Sequence, residues 1–282
     1  MKNNEPTWLI TGASSGLGRA IAEAALERGY NVVATARSKT ALADLAGSGS
    51  GRLFTARLDV TDKQTIRSAV SEAEQQFGGI DVLVNAAGYG YLAAIEEGED
   101  DGIRAQFETN VFGLLDVTKA VLPTMRARRR GMIINLSSLG GLVAFGATGY
   151  YHATKFAVEA LSESLSHEVA PLGIKVMIVE PGAFRTDWAG RSMVESSLSI
   201  EDYKETAGQR RLATRAVSGN QPGDPEKAAA AIIDAAQAEQ PPLRLLLGGS
   251  ALKVAYERLD KLRANFDAWA HVTTAVDFPP TA

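Results

Sequence analysis

The amino-acid sequence predicts a single α/β domain in which a parallel sheet of about seven strands is covered by helices on both faces. Short apolar runs alternate with longer segments of helical periodicity along most of the 282 residues, and this alternation is typical of consecutive βαβ units. The runs are apolar at nearly every position, as strands are when both faces of a sheet are buried. A chain of this length can form one domain of this class.

Seven runs are predicted to be strands, at 8–10, 31–35, 53–55, 82–84, 132–136, 175–179 and 243–247. Helices are predicted between and after them, at 16–28, 39–46, 62–77, 101–128, 149–171 and 224–238. The acidic run Glu96–Asp101 and the basic run Arg126–Arg130 are interpreted as the solvated start and end of one helix.

Two stretches break this rhythm. Residues 184–222 are poorly periodic and too long for an ordinary connection. The extension 250–282 is predicted to be helical as far as Trp269 and irregular through Pro279 and Pro280.

Composition excludes several classes of function. The formal net charge is −4 with both signs interspersed, so we expect neither nucleic acid nor a membrane surface as the partner. The chain contains no cysteine, which excludes disulfides, a thiolate nucleophile and cysteine-bound metals, and no metal site is predicted. The polar start Met1–Pro6 lacks the features of a secretory signal, and the apolar runs are far shorter than the roughly 20 residues that span a bilayer. A cytoplasmic location is therefore expected.

A glycine-rich segment links the first strand to the first helix. It reads Thr11-Gly12-Ala13-Ser14-Ser15-Gly16-Leu17-Gly18. Glycines let the backbone turn tightly and approach a pyrophosphate, which then binds to free N–H groups at the helix N-terminus. A plain strand–helix turn needs one glycine rather than three. The segment predicts a dinucleotide site in a doubly wound Rossmann fold, formed by Gly12, Ser14, Ser15, Gly16, Leu17 and Gly18.

The end of the second predicted strand indicates which dinucleotide binds. An acidic residue there would bond the ribose 2′-hydroxyl of NAD. The segment instead reads Ala34-Thr35-Ala36-Arg37-Ser38, and the forked guanidinium of Arg37 suits a 2′-phosphate. NADP(H) is therefore the preferred cofactor, with NAD(H) the alternative if Arg37 is only a surface residue.

Tyr151 and Lys155 form the candidate catalytic pair. They are four residues apart on a predicted helix and so share one face. A phenol with a pKa of about 10 exchanges protons poorly near neutrality, and we expect the nearby ammonium and an oxidised nicotinamide to lower that pKa. Ser138 follows the strand 132–136, where ligands bind in an open parallel sheet, and can donate to the substrate oxygen. Tyr150 is expected to have a packing or substrate-lining role, and His152 to be a structural or surface histidine.

Several motifs together resemble the short-chain dehydrogenase/reductase family, in its smaller single-domain branch. The resemblance covers about residues 7–247 and rests on Thr11–Gly18, Asn85-Ala86-Ala87-Gly88, Asn110, Ser138, Tyr151/Lys155 and Pro181-Gly182. It implies a Rossmann fold and hydride transfer between a nicotinamide cofactor and an alcohol/carbonyl pair, with Tyr151 as the general acid/base.

The resemblance also implies roles for individual residues. Asn110 would hold a water in a proton relay with Lys155, and Lys155 would bond the nicotinamide ribose. Ser138 would orient the substrate, with Ser137 as the fallback. The remaining cofactor contacts that it implies are Asp59 and Val60 at the adenine, Asn85, Ala86 and Gly88 along the groove, and Pro181, Gly182 and Thr186 at the carboxamide.

In this family the segment after Pro181-Gly182 covers the active site, so residues 184–222 are expected to form a substrate lid. Its large side chains would either line a pocket for a hydrophobic carbonyl compound or anchor the lid; they are Phe184, Trp188, Met193, Leu198 and Tyr203. The segment is similar to that of bacterial oxidoreductases related to steroid- and retinol-type reductases.

A homodimer or homotetramer is expected from the resemblance, through the helices at 101–128 and 149–171. The apolar residues that would fit such an interface, or equally packing against the sheet, are Val111, Leu114, Leu115, Leu161 and Leu165. Two other functions stay open: a non-catalytic nucleotide-sensing Rossmann protein and a nucleotide-sugar epimerase, which also uses a Tyr–Lys pair.

Overall fold

The computed structural model describes residues 5–46 and 51–278. The strands in this part of the chain are β1 (Thr7–Ile10), β2 (Asn31–Ala36), β3 (Leu53–Arg57), β4 (Val82–Asn85), β5 (Gly90–Leu92), β6 (Gly131–Leu136), β7 (Ile174–Pro181), β8 (Met193–Glu195) and β9 (Arg244–Leu247). Seven of them form one sheet in the order β3-β2-β1-β4-β6-β7-β9, and every pairing in it is parallel. The predicted seven-stranded α/β sheet is confirmed.

The strand order reverses direction between β1 and β4, because β2 and β3 lie on one side of β1 and the later strands lie on the other. The connections that leave the carboxyl ends of β1 and β4 therefore diverge and leave a crevice between them. Ligands bind at this position in open α/β sheets.

The helices in the described residues are α1 (Gly16–Glu27), α2 (Ala43–Ala46), α3 (Lys63–Phe77), α4 (Asp100–Phe107), α5 (Leu114–Arg128), α6 (Gly149–Val169), α7 (Gln209–Ala216), α8 (Pro225–Gln237) and α9 (Gly249–Thr274). Two apolar clusters bury the two faces of the sheet, because alternate strand residues point to opposite faces. Trp8 and Ile10 pack with residues of α1 and α8, whereas Leu9 packs with residues of α3 and α5.

The helix predicted over 101–128 is interrupted. A π-helical segment, Glu108–Gly113, separates α4 from α5. Segments of this kind are rare and occur often at functional sites. Asn110 lies in it and is buried, so the irregular segment carries a predicted site residue.

Three further predictions need adjustment. Asp100 and Asp101 lie in the first turn of α4, as expected, but Glu97 of the same acidic run is buried, not solvated. Residues 184–222 contain β8 and α7. The helix in the C-terminal extension ends at Thr274, beyond Trp269, and the irregular segment predicted at Pro279 and Pro280 lies outside the described residues.

A separate two-stranded parallel sheet, β5 with β8, joins the segment after β4 to the segment after β7. Within 5–46 and 51–278, no helix combines the length and the apolar character that crossing a bilayer requires.

Candidate active site

The glycine-rich segment lies between β1 and α1. Gly12 and Gly16 have φ angles of 67° and 58°, a region that side chains other than glycine rarely enter. A Cβ atom placed on Gly18 would lie 2.5 Å from the carbonyl oxygen of Gly12, so the turn closes only with glycine there. Ser15 precedes α1 and makes no side-chain capping bond, and the first turn holds no acidic residue. This end of α1 therefore fits an anionic group such as a pyrophosphate.

The segment after β4 packs directly against this turn. The Thr11 hydroxyl accepts hydrogen bonds from the backbone N–H groups of Ala86 and Ala87, at 3.0 and 3.1 Å. A Cβ atom on Gly12 would lie 2.9 Å from the Cα atom of Ala87. The two segments form the wall of the crevice at the β1–β4 switch point.

The Asn85 side chain, at the end of β4, is buried and forms hydrogen bonds in the interior of the protein. Its side-chain N–H₂ donates to the Thr118 hydroxyl at 3.0 Å and to the Asn135 side-chain oxygen at 2.9 Å. The Asn135 amide in turn donates to Ser162. This buried network joins β4 to β6 and to the helices behind them. The Asn85 side chain thus supports the groove from the interior of the protein.

Three of the predicted cofactor residues follow β2 and β3: Arg37, Asp59 and Val60. Arg37 directly follows β2 and is exposed. Burial raises the pKa of Tyr89, and the charge of Arg37 opposes this rise. One carboxylate oxygen of Asp59 accepts from both the N–H and the hydroxyl of Thr61. Val60 is buried against Gly113: a Cβ atom placed on Gly113 would lie 2.7 Å from the Val60 Cγ2 atom.

Asn110 connects the segment after β4 to α6. Its side-chain oxygen accepts from the Tyr89 N–H at 3.0 Å, while its N–H₂ donates to the Tyr89 carbonyl at 2.9 Å and to the Thr154 hydroxyl at 3.1 Å. A Cβ atom on Gly88 would lie 3.1 Å from the Asn110 side-chain oxygen and 3.8 Å from the Lys155 Nζ atom. Gly88, Asn110 and Lys155 therefore meet at one point.

Tyr151 and Lys155 lie on α6 and are both buried. The Lys155 Nζ atom is 5.7 Å from the centre of the Tyr151 ring and donates to the Leu136 carbonyl at 2.7 Å. Burial raises the pKa of Tyr151 to about 12, and a hydrogen bond with Ser138 opposes this rise. Burial lowers the pKa of Lys155 to about 8, against the charge of Glu159. In the protein alone, desolvation therefore outweighs the lowering of the phenol pKa that the Tyr–Lys spacing suggested.

The choice between Ser137 and Ser138 is clear from their surroundings. The Ser138 hydroxyl interacts with Tyr151 and accepts from the Gly140 N–H at 3.0 Å. The Ser137 hydroxyl is buried without a hydrogen-bond partner in the described residues. It lies on the other side of the loop, toward Glu159: a Cβ atom on Gly141 would be 2.6 Å from the Ser137 Oγ atom and 2.8 Å from the Glu159 Oε1 atom. Ser138 is the serine at the site.

The residues on either side of Tyr151 have structural contacts. Tyr150 donates its hydroxyl proton to the Ile95 carbonyl. The His152 Nδ1 atom accepts from the Phe145 N–H at 3.0 Å, and its ring lies 5.8 Å from the Tyr151 ring. Burial lowers the pKa of His152 to about 4, with Arg210 contributing, so the imidazole is neutral near pH 7. His152 is buried rather than a surface histidine.

The segment 184–222 approaches both the cofactor crevice and Tyr151. A Cβ atom on Gly16 would lie 3.7 Å from the Thr186 Cβ atom. The Trp188 ring is 5.0 Å from the Tyr151 ring. Met193 is buried beside Gly90. The Trp188 ring therefore lies beside the candidate catalytic tyrosine, and Trp188 and Met193 both border Gly90.

The other large side chains of this segment have different positions. Phe184 packs against Gly223, and the Tyr203 hydroxyl donates to Glu96 at 2.7 Å. Leu198 is 50% exposed. Phe184 and Tyr203 therefore act as anchors. At the start of the segment, the Gly182 N–H donates to the Leu247 carbonyl at 2.9 Å, which fixes the end of β7 and Pro181 beside β9.

Two partly buried charge clusters have no signal in the sequence. Arg244 bonds Glu159, Glu163 and Glu180, and burial together with Glu159 raises the pKa of Glu180 to about 7. Arg211 pairs with Glu97 at 3.0 Å and Glu195 at 2.7 Å. Their members are far apart along the chain, so only the folded structure identifies them.

Comparison with known proteins gives a consistent result. The family model described as short chain dehydrogenase matches residues 6–195. The chain is 42% identical to the oxidoreductase BOA17 of Botryotinia fuckeliana over 95% of this chain and 98% of that protein. A short-chain dehydrogenase from Streptomyces avermitilis superimposes with a TM-score of 0.92 at 45% identity, over 98% of this chain and 100% of that one. A serine dehydrogenase complexed with NADP+ superimposes with a TM-score of 0.74 at 25% identity, over 86% and 94%. The chain therefore belongs to the short chain dehydrogenase family.

Proposed function

We propose that this oxidoreductase interconverts an alcohol and a carbonyl compound with NADP(H), using Tyr151 as the general acid/base. The observation that carries the proposal is the convergence of Tyr151, Lys155 and Ser138 beside the glycine-rich turn, at the carboxyl ends of β1, β4 and β6. The structural neighbour complexed with NADP+ supports a nicotinamide cofactor, and the exposed Arg37 after β2 favours the 2′-phosphate form.

Each residue has a definite part in the proposed reduction. Bound NADPH would supply a hydride to the carbonyl carbon. The Tyr151 hydroxyl gives its proton to the carbonyl oxygen as negative charge develops there, and Ser138 donates a second hydrogen bond to that oxygen. Lys155 holds the nicotinamide ribose, and Asn110 fixes the start of α6 through Thr154. The reverse direction moves the same proton back to Tyr151.

The surroundings of Tyr151 suggest a hydrophobic substrate. Trp188 lies against the Tyr151 ring, and both Trp188 and the buried Met193 border Gly90. We propose that residues 184–222 act as the substrate lid of a single domain located in the cytoplasm.

The first experiment follows the absorbance of NADPH with a panel of hydrophobic aldehydes and ketones. Tyr151→Phe removes the proton donor, and we expect turnover to fall about 10²- to 10⁴-fold. Tyr150→Phe is the matched control, since Tyr150 is bonded to Ile95, and it should retain activity. Equal activity in the Tyr151 variant and the wild type would contradict the proposed role.

The same assay separates the alternative functions. A dehydrogenase consumes the cofactor, an epimerase returns it, and a nucleotide sensor binds it without turnover. The panel therefore also includes alcohols, which are assayed with NADP+. Cofactor binding without turnover in either direction would favour the sensor.

Cofactor choice is tested with Arg37→Ala. Loss of a hydrogen bond to a charged group costs about 1.5–3 kcal/mol, so the ratio of kcat/KM for NADPH to that for NADH should fall about ten- to a hundredfold. Lys39→Ala is the control, because Lys39 lies over the Phe54 ring. An unchanged ratio in Arg37→Ala would assign Arg37 to the surface only.

A further inference from the structure

The C-terminal helix α9 extends well beyond its contact with the rest of the protein. Its 26 residues correspond to about 39 Å at ~1.5 Å per residue. Its buried residues are Ala251 and Ala255, both within the first two turns. The helix is therefore anchored at its N-terminal end, and its later turns are left open.

Apolar residues along α9 follow a heptad spacing. Leu252, Leu259 and Phe266 are seven residues apart, and Ala255, Leu262 and Trp269 follow each of them by three residues. This alternation of three and four residues continues to Thr273 in the last turn of the helix, which is typical of a helix that pairs with another helix. The large members of the set are open to solvent in the single chain: Leu259 is 59% exposed, Phe266 65% and Trp269 59%.

Outside this heptad set, the helix surface is of mixed charge and also carries the exposed Tyr256 and Val272. Four basic residues, Lys253, Arg258, Lys261 and Arg263, stand beside three acidic ones, Glu257, Asp260 and Asp267. A helix that binds an anionic membrane surface carries a strongly basic polar face. The mixed charge and the sustained heptads of α9 favour a protein helix as its partner.

We propose that α9 pairs with α9 of a second copy of this chain as an antiparallel coiled coil centred on Ala264. In that arrangement Leu259 faces the partner's Trp269, and Leu262 faces the partner's Phe266. The same residues meet on both sides of the centre, so the helix is complementary to itself.

Side-chain volume decides the direction of the pair. A parallel pair would place Trp269 against Trp269 and Phe266 against Phe266, which gives two crowded layers. Close packing disfavours both. The antiparallel pair combines a large residue with a medium one in each of these central layers. Two copies of Arg263 flank the centre, and each is within 3.7 Å of its own Asp267, which reduces their repulsion.

The absence of cysteine in the sequence permits a direct test by disulfide cross-linking of the full chain. The double variant Leu259→Cys/Trp269→Cys places two cysteines in facing positions of the antiparallel pair. They are ten residues apart on one helix, about 15 Å, which exceeds the Cα separation that a disulfide can bridge. On mild oxidation with diamide we expect a covalent dimer, seen as a doubled mass on a non-reducing gel.

Matched variants make the test specific. In Asp260→Cys/Ala268→Cys the two cysteines are also placed symmetrically about Ala264, but on the opposite face of α9. This variant should remain monomeric on the gel. Each single variant, Leu259→Cys or Trp269→Cys, should also fail to cross-link, because neither position faces itself. Efficient cross-linking by the single variants would show a parallel pair and overturn the proposal, as would equal cross-linking of the opposite-face control.

A final arm tests the membrane as a different partner. The wild-type chain is sedimented with phosphatidylcholine/phosphatidylserine vesicles. Two results together would replace the coiled coil by a membrane contact. They are vesicle binding that is lost in Phe266→Glu/Trp269→Glu, and no cross-linking of Leu259→Cys/Trp269→Cys. No cross-linking and no vesicle binding would also reject the coiled coil. None of these readouts depends on NADPH turnover, so the proposal fails or stands separately from the proposed function.

Discussion

At the scale of single residues, Tyr151 and Lys155 show opposite effects of the same burial. Desolvation raises the pKa of Tyr151 to about 12 and lowers that of Lys155 to about 8, because both charged forms are disfavoured away from water. Near pH 7 the phenol is therefore protonated before the cofactor binds. This state suits proton donation in carbonyl reduction, whereas alcohol oxidation needs the positive charge of an oxidised nicotinamide nearby.

His152 gives a pH-dependent prediction for stability. Its folded-state pKa of about 4 lies below its ordinary value of 6.5, so the unfolded chain binds more protons between these two values. Its contribution to stability is therefore complete above about pH 6.5 and is lost as the pH falls toward 4. His152→Gln keeps an acceptor for the Phe145 N–H but does not titrate. We expect the thermal midpoint of this variant to fall less than that of the wild type between pH 7 and pH 4.

The control for this prediction is His167→Gln, since His167 is exposed on the same helix. Its pH profile should follow that of the wild type. Parallel melting profiles for the wild type and His152→Gln would show that burial of the imidazole has no energetic consequence.

At the scale of secondary-structure elements, the segment 184–222 is held by Arg211 of α7. This guanidinium is buried and reaches Glu97, Glu195, and the carbonyl groups of Ser196 and Leu198. Glu97 also accepts from the N–H groups of Ala94 and Ile200. One arginine thereby joins α7, β8 and the segment after β5.

We predict that Arg211→Met loosens this region. The change leaves Glu97 buried without its charge partner, and breaking a buried pair in this way costs about 3–5 kcal/mol. Hydrogen exchange should accelerate across residues 193–216, and KM for the carbonyl substrate should rise more than that for NADPH. Lys204→Met removes an exposed ion pair of the same segment and should change little. Unaltered exchange in Arg211→Met would mean that the segment is held by its apolar contacts alone.

The seven strands of the main sheet and most helices could be predicted from the sequence because their signals are local. An apolar run, or a helical spacing of apolar residues, is formed by residues close together in the sequence. The same holds for the contact between Tyr151 and Lys155. The π segment around Asn110 could not be predicted, since the alternative helical hydrogen bonding leaves the apolar pattern nearly unchanged. The interior hydrogen bonds of Asn85 also could not be predicted, because they depend on Asn135, which is fifty residues away in the sequence.

At the scale of the whole molecule, the apolar residues proposed for subunit contact divide into two groups. Val111 and Leu114 are buried within the chain, Leu165 packs against the core and Leu115 is half-buried, so these four are at least partly covered by their own chain. Leu161 remains 36% exposed, and two residues that the sequence did not single out are more exposed, Phe112 at 52% and Phe156 at 41%. Exposed apolar side chains on neighbouring helices mark a candidate interface.

We predict that a subunit contact through α6 includes Phe156, in addition to the proposed pairing of α9. A lysine at this position would have to be desolvated in an interface core, from which charged residues are depleted. Sedimentation velocity should therefore show fewer subunits per particle for Phe156→Lys than for the wild type. Ser71→Lys, at an exposed position of α3, should leave the sedimentation coefficient unchanged.

The contact through Phe156 and the pairing of α9 lie on different helices. If the two are independent, the cross-linking of Leu259→Cys/Trp269→Cys persists when Phe156→Lys is added to the same chain. A Phe156→Lys variant that sediments like the wild type would remove Phe156 from any subunit interface and leave α9 as the contact to explain the assembly.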